Sequence, residues 1–342
     1  MYTPVALVRR ALFVTVVAGA ALAAPSPATA QVSGLSGTLI ITNKAPATAT
    51  IIDVATGRAL ATLPTGQGPH EVVMSRDGRV AVVTDYGSQG PGGNTLTVID
   101  VPGLRVARTI ELGQYRRPHG IVFLPGDSLV AVTSESTGNV VIVSVAAGVV
   151  RSAIPTTQNG SHMVAATADG ALMYTGNMGS HTVSQLDGRT GQFVKLWPVP
   201  NTPEAINVTP DGAEVWVGSN ATGRVSVLDP KTGTVTTAAE GVSWPYRVLF
   251  SPDRRYTFIP DMRNEELRFL DRVSRRELGR LTFPQGGPQG ITITPDGKYI
   301  LQSLSRQARV AVIDVATRAV VGYIPAGETP DGIAYSTRTA GR

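Results

Sequence analysis

The stretch PEAINVTPDGAEVWVGSNATGRVSVLDPKTGTVTTA, residues 203–238, decides how the whole chain reads. After Pro203, Ala205 to Thr209 alternates apolar and polar side chains, and Pro210-Asp211-Gly212 makes a hairpin turn. Glu214 to Gly218 reads as a second strand and Arg224 to Asp229 as a third. A turn from Asp229 to Gly233 leads into a fourth, Thr234 to Ala238. Short β-branched runs bounded by Gly, Pro, Asp and Asn are strands. Asp-Gly supplies the positive φ values of a tight hairpin.

Outward from this stretch the same unit recurs. Its opening residues are Pro69, Pro118, Ser161, Pro203, Pro245, Pro288 and Pro330, at intervals of 49, 43, 42, 42, 43 and 42. The long interval contains the glycine-rich insertion Gly87 to Asn94, between the second and third strands of one unit. First hairpins carry Asp77-Gly78, Gly126-Asp127, Asp169-Gly170, Asp253-Arg254 and Asp296-Gly297. Third strands end in Asp53, Asp100, Ser144, Asp187, Asp229, Asp271 and Asp314. These aspartates read as turn-formers whose carboxylates accept backbone N–H bonds. Four strands in a period in the low forties predict an all-β fold, a β-propeller. Three strands precede the first full unit (near Leu39–Thr42, Thr50–Asp53 and Ala59–Leu63), and one, Gly332 to Ser336, follows the last. Together they complete a seventh blade of four antiparallel strands and close the ring. Closure removes the exposed sheet edges of an open array.

Residues 1–30 stand apart from the repeat. Arg9 and Arg10 precede an apolar run from Ala11 to Ala24, and Ala28-Thr29-Ala30 is a small-x-small cleavage site. This is the pattern of a secretory signal peptide with Gln31 as the mature N-terminus. General secretion fits better than twin-arginine export, because the residues flanking the arginines match the latter poorly. The propeller then occupies 31–342 as one domain, periplasmic or secreted, monomeric, with no membrane span in the mature chain. The chain has no cysteine, which excludes disulfides, thiolate metal sites and cysteine nucleophiles. The formal charge of +5 falls to +3 once Arg9 and Arg10 are removed. The basic residues are scattered, so nucleic acid is a weak candidate partner.

The second strands Ile40-Ile41-Thr42-Asn43, Val82-Val83-Thr84-Asp85, Tyr174-Thr175-Gly176-Asn177 and Val215-Trp216-Val217-Gly218 resemble those of the YVTN-type β-propeller repeat proteins. Val98-Ile99-Asp100, Val312-Ile313-Asp314 and the Pro-Asp-Gly turns at Pro210 and Pro295 fit the same pattern. The resemblance covers the mature chain, although no blade spells the motif in full. It implies a seven-bladed ring and an exported location. It implies no single chemistry, since related propellers include surface-layer proteins, lactonases, lyases and electron-transfer partners.

The residue after each opening position falls at one phase of the ring: His70, His119, His162, Glu204, Tyr246, Gln289 and Asp331. Three of the four histidines share that phase on consecutive blades, which random placement would give roughly once in several hundred trials. Three imidazoles and Glu204 would suit a divalent transition metal, with a water completing the set. A polar small-molecule site is a second reading. A structural ring, descended by duplication from one ancestral histidine, is a third.

Loops on the same face contribute Asp85, Tyr86, Glu135, Asn177, Met178, His181, Asn220, Asp261, Met262, Arg263, Ser305 and Arg306, with Arg247 beside Tyr246. Such a mouth suits a small anion or a sugar-like ligand. His181 lies one blade loop from His162. Trp197, Trp216 and Trp244 read as blade packing rather than as stacking platforms for bases. No Gly-x-Ser-x-Gly elbow, Walker loop, dinucleotide fingerprint or Cys-x-x-Cys-His is present. The expectation is therefore a ligand- or partner-binding scaffold. The rivals are a lactonase- or lyase-like enzyme and, more weakly, a single-stranded nucleic-acid binder.

Overall fold

The computed structural model describes residues 32–341, so the expected signal peptide lies outside the described residues. Seven four-stranded antiparallel sheets form the blades. The fold is a seven-bladed β-propeller. Blade 1 runs outward from its inner strand Pro69–Met74 through Val80–Asp85 and Thr95–Asp100 to Arg105–Glu111. Blades 2 to 6 follow in chain order, their inner strands beginning at Pro118, Ser161, Pro203, Leu249 and Pro288. In blade 7 the inner strand Pro330–Ser336 pairs with Thr38–Asn43, with Thr38 opposite Ser336 and Ile41 opposite Ile333. The termini thus close the ring as the unmatched ends predict.

Burial follows the position of each strand. Second and third strands are covered on both faces, and read as near-continuous apolar runs such as Val80 to Val83. The outer strand Arg105–Glu111 is largely exposed. The core lies between blades: Val82 and Val98 of blade 1 pack against Ile121, Val132 and Val141 of blade 2. Burying each such side chain contributes roughly 1.5–3 kcal/mol. The hairpin aspartates behave as turn-formers. Asp77 Oδ1 accepts the Ser75 hydroxyl at 2.7 Å and the Arg79 N–H at 3.0 Å, and Asp211 and Asp296 repeat the pattern.

A backbone irregularity shapes the channel. In blade 1, Pro69 pairs with Asp85 and Val72 with Val83, so two inner-strand residues oppose the single Thr84. Blades 2 and 6 bulge at the same place. A bulge re-aims side chains, here at the second and third positions of the inner strand. Second-strand hydroxyls fill the gap. Thr84 Oγ1 accepts the Glu71 N–H at 3.0 Å. Thr133 Oγ1 accepts the Gly120 N–H at 2.9 Å and donates to the His162 carbonyl at 2.7 Å. Thr42 Oγ1 donates to the His70 carbonyl at 3.0 Å.

Blade 5 departs from the rule. Its inner strand is reduced to Leu249–Phe250, with an isolated bridge between Pro245 and Asp261. Opposite it stands Pro260, which has no N–H to give. The Tyr246 N–H still reaches the Pro260 carbonyl at 2.9 Å, but the reciprocal bond is impossible. The Arg247 guanidinium takes the Tyr246 carbonyl instead. Arg247 thus faces the channel at the position that Glu71 holds in blade 1.

Candidate functional site

The second-position residues do converge. His70, His119 and His162 form a row, and Tyr86 packs against both His70 and His119. Ring centroids are 4.6 Å apart for Tyr86 and His70, 4.7 Å for His70 and His119, and 3.7 Å for His119 and His162. The last pair is tilted by 32°, so the two imidazoles meet face to face.

Carboxylates hold both ends of the row. His162 Nδ1 lies 3.0 Å from Glu135 Oε2 in a hydrogen bond. His70 Nδ1 lies 3.3 Å from Asp331 Oδ2, close enough for charge attraction but out of line for a hydrogen bond. Lys44 Nζ lies 2.9 Å from the same oxygen, and the Tyr246 hydroxyl donates to Asp331 Oδ1 at 2.9 Å. His119, between the two, is buried and its Nδ1 has no partner. Among the described residues, no hydrogen bond engages Nε2 of any of the three rings.

Protonation follows from these surroundings. Burial lowers His70 below the usual histidine value against the pull of Asp331, and lowers His119 much further, with the other imidazoles adding to it. Burial alone would raise Asp331, but Lys44, His70 and Arg247 hold it well below the carboxylate range. Burial likewise opposes ionisation of Glu135, and is outweighed by the bond to His162, the Tyr86 hydroxyl and Arg117. Glu204 goes the other way: burial raises it, only partly offset by His162 and the hydrogen bond from Asn220.

A repeated backbone bond positions the upper tier. In every blade the first residue beyond the second strand donates its N–H to the carbonyl preceding the opening position. The pairs are Lys44 to Thr329, Tyr86 to Gly68, Glu135 to Arg117, Met178 to Gly160, Asn220 to Thr202, Met262 to Trp244 and Ser305 to Gly287. Arg117, Thr202 and Thr329 adopt left-handed φ angles of 53°, 61° and 52° to present that carbonyl. Lys44, Tyr86, Glu135 and Asn220 are thereby set over the ring they contact. Below it a third tier closes the channel. Arg247 pairs across the lumen with Glu71, while Gly120, Gly290 and Gly332 let the backbones of neighbouring inner strands approach closely.

The expected site residues therefore separate. His70, His119, His162, Tyr246 and Asp331 form one connected cluster, and Arg247 belongs to the tier beneath it. Glu204 is buried against Asn220, and Gln289 donates to Met262 Sδ at 3.2 Å. His181 is a turn residue at φ 58° whose Nδ1 accepts the Thr202 N–H at 3.1 Å. The metal set of His70, His119, His162 and Glu204 does not take shape. The rings are tilted to one another by 59° and 32°, and among the described residues no group of three His, Asp or Glu side chains is arranged as a metal site. Trp197 and Trp216 are core residues, but Trp244 stands at the mouth with the Arg263 guanidinium 4.9 Å from its ring centre.

Lys44, Glu71, Arg117 and the threonine hydroxyls were not singled out from the sequence. Lys44 follows Asn43 as Tyr86 follows Asp85, and that alignment would have found it.

No family model matches the chain, and no curated protein matches it in sequence. Solved structures do. A chain of Kuenenia stuttgartiensis hydrazine synthase is 19% identical with a TM-score of 0.73, over 82% of this chain and 93% of that one. A functionally unknown protein from Desulfotomaculum acetoxidans is 17% identical with a TM-score of 0.72, over 89% and 100%. At these identities the likeness concerns the fold alone.

Proposed function

We propose that the chain is an exported YVTN-type propeller that binds a small hydroxylated molecule across its histidine face. The supporting observation is the row itself: three imidazoles gathered from consecutive blades, in which the buried Nδ1 atoms of His70 and His119 lack hydrogen-bond partners among the described residues. A ring with a purely structural role would satisfy its own polar atoms, because an unmet buried group costs about 1–3 kcal/mol. In His162, whose Nδ1–H is directed at Glu135, Nε2 is an acceptor and asks for O–H or N–H donors.

Ligand-observed NMR against a panel of pyranoses and aldonolactones tests this reading. Binding that weakens at least tenfold in His119→Ala and His162→Ala supports it; a panel in which nothing binds, or in which both variants bind normally, overturns it. N-terminal sequencing of the protein recovered outside the cytoplasm should begin at Gln31, and an uncleaved Met1 would refute export by this route.

A second reading rests on the Glu135–His162 pair. A carboxylate that orients an imidazole through Nδ1 leaves Nε2 to act as a general base, which suits a lactonase or lyase. Lactone hydrolysis lost in Glu135→Gln and His162→Ala would favour it. The nucleic-acid alternative loses its best support, since Trp197 and Trp216 are buried.

A further inference from the structure

Beneath the Glu71–Arg247 tier, at the opposite end of the channel, lies a cavity of about 380 Å³. It belongs to the class of small-molecule sites by size. None of the histidines lines it. Its roof is the ion pair, its walls are the inner strands with Phe123, Met163, Ala165 and Leu249, and Arg76 stands at its rim. From roof to rim, blade 1 runs from Glu71 in the inner strand Pro69–Met74 to Arg76 in the hairpin turn beyond it.

The charges differ at the two ends. Arg247 is satisfied by Glu71 and by the Tyr246 carbonyl. The Arg76 side chain is exposed and makes no ion pair among the described residues. Among the described residues the lumen therefore combines apolar side chains interrupted by Thr167 and Asn207, a neutralised roof and an exposed guanidinium at its mouth.

We propose that this cavity binds a small amphiphile with a single anionic head, of the medium-chain carboxylate class. The apolar tail lies along the inner strands and reaches the ion pair, while the carboxylate stays at the rim against Arg76. An uncharged roof tolerates the end of an alkyl tail, and an exposed guanidinium recognises a carboxylate without a large desolvation cost. This assignment is independent of the histidine face.

Calorimetric titration with decanoate, and with decyltrimethylammonium as the opposite-charge control, tests it. The expected result is one decanoate per chain, with the ammonium compound at least tenfold weaker. Arg76→Glu should weaken decanoate roughly fivefold or more, as loss of an exposed charge contact and its reversal allow. Ala165→Phe should abolish binding by filling the lumen. His119→Ala should bind decanoate like the wild type, which separates this site from the one above. Equal affinity for both amphiphiles, or unchanged binding in Arg76→Glu, overturns the proposal; so does loss of binding in folded His119→Ala. Arg76 is exposed, so its variant stays informative if Ala165→Phe does not fold.

Discussion

Replacing Asp85 by Asn should stabilise the protein at neutral pH. Asp85 ends the second strand of blade 1, is 1% exposed, and accepts the hydroxyls of Thr95 at 2.7 Å and Thr97 at 2.9 Å. No cation pairs with it among the described residues, and burial pushes its carboxyl up to about 6 from 3.8. Two other blades do the same job with a neutral amide. Asn43 donates to Thr48 at 3.0 Å and Thr50 at 2.9 Å, and Asn177 donates to Thr182 at 3.1 Å and Ser184 at 2.9 Å. The register is shared, since Asp85 opposes Thr95 as Asn43 opposes Thr48 and Asn177 opposes Thr182.

The gap between 3.8 and about 6 corresponds to about 3 kcal/mol of strain on the ionised form at neutral pH. The sign follows from proton counting. Between the two values the folded chain holds a proton that the unfolded chain has released. Stability from this carboxyl is therefore complete below about 3.8 and lost as pH rises through about 6. Asparagine removes the loss. Urea unfolding followed by tryptophan fluorescence should show the variant more stable by about 1–3 kcal/mol at pH 7.5, with the advantage shrinking toward zero at pH 4. A difference that does not depend on pH, or a less stable variant at pH 7.5, would refute the reasoning.

Thr133→Val removes the hydroxyl that ties Gly120 to the His162 carbonyl. It should cost about 1–3 kcal/mol by urea titration and weaken ligand binding at the histidine face, and a variant with neither effect contradicts the role of the bulge. Glu71→Gln leaves Arg247 buried without its counter-charge and should destabilise by about 3–5 kcal/mol. Adding Arg247→Met should recover much of that loss, and strictly additive losses would show that the two side chains do not pair. Dialysis against a chelator should leave the melting temperature and ligand binding unchanged. Stoichiometric metal by elemental analysis that disappears in His119→Ala would reinstate the metal reading.

The architecture was largely legible because each blade repeats the same punctuation. Asp211-Gly212 and its counterparts mark the hairpins, and the unmatched strands at the two ends imply closure. The phase of His70, His119 and His162 was legible for the same reason. The rest of the site was not. A bulge is a backbone event, so strand alternation gives no sign that Glu71 faces the channel, or that Arg247, expected at the mouth, joins it in the tier beneath. They pair across 176 residues, with no local pattern to connect them. His181 shows the converse limit: proximity in a loop did not bring its ring to the cluster, because the left-handed turn directs Nδ1 to the next blade.

The most direct measurement is a long-range ¹H–¹⁵N spectrum of histidine-labelled protein during titration with the best ligand of the sugar and lactone panel. Four histidines give four separable ring systems, and ring nitrogen shifts report tautomer and contact together. His70, His119 and His162 should move with saturation while His181 stays still. Shifts confined to His181, or none in the other three rings at saturating ligand, would contradict a binding site on this face.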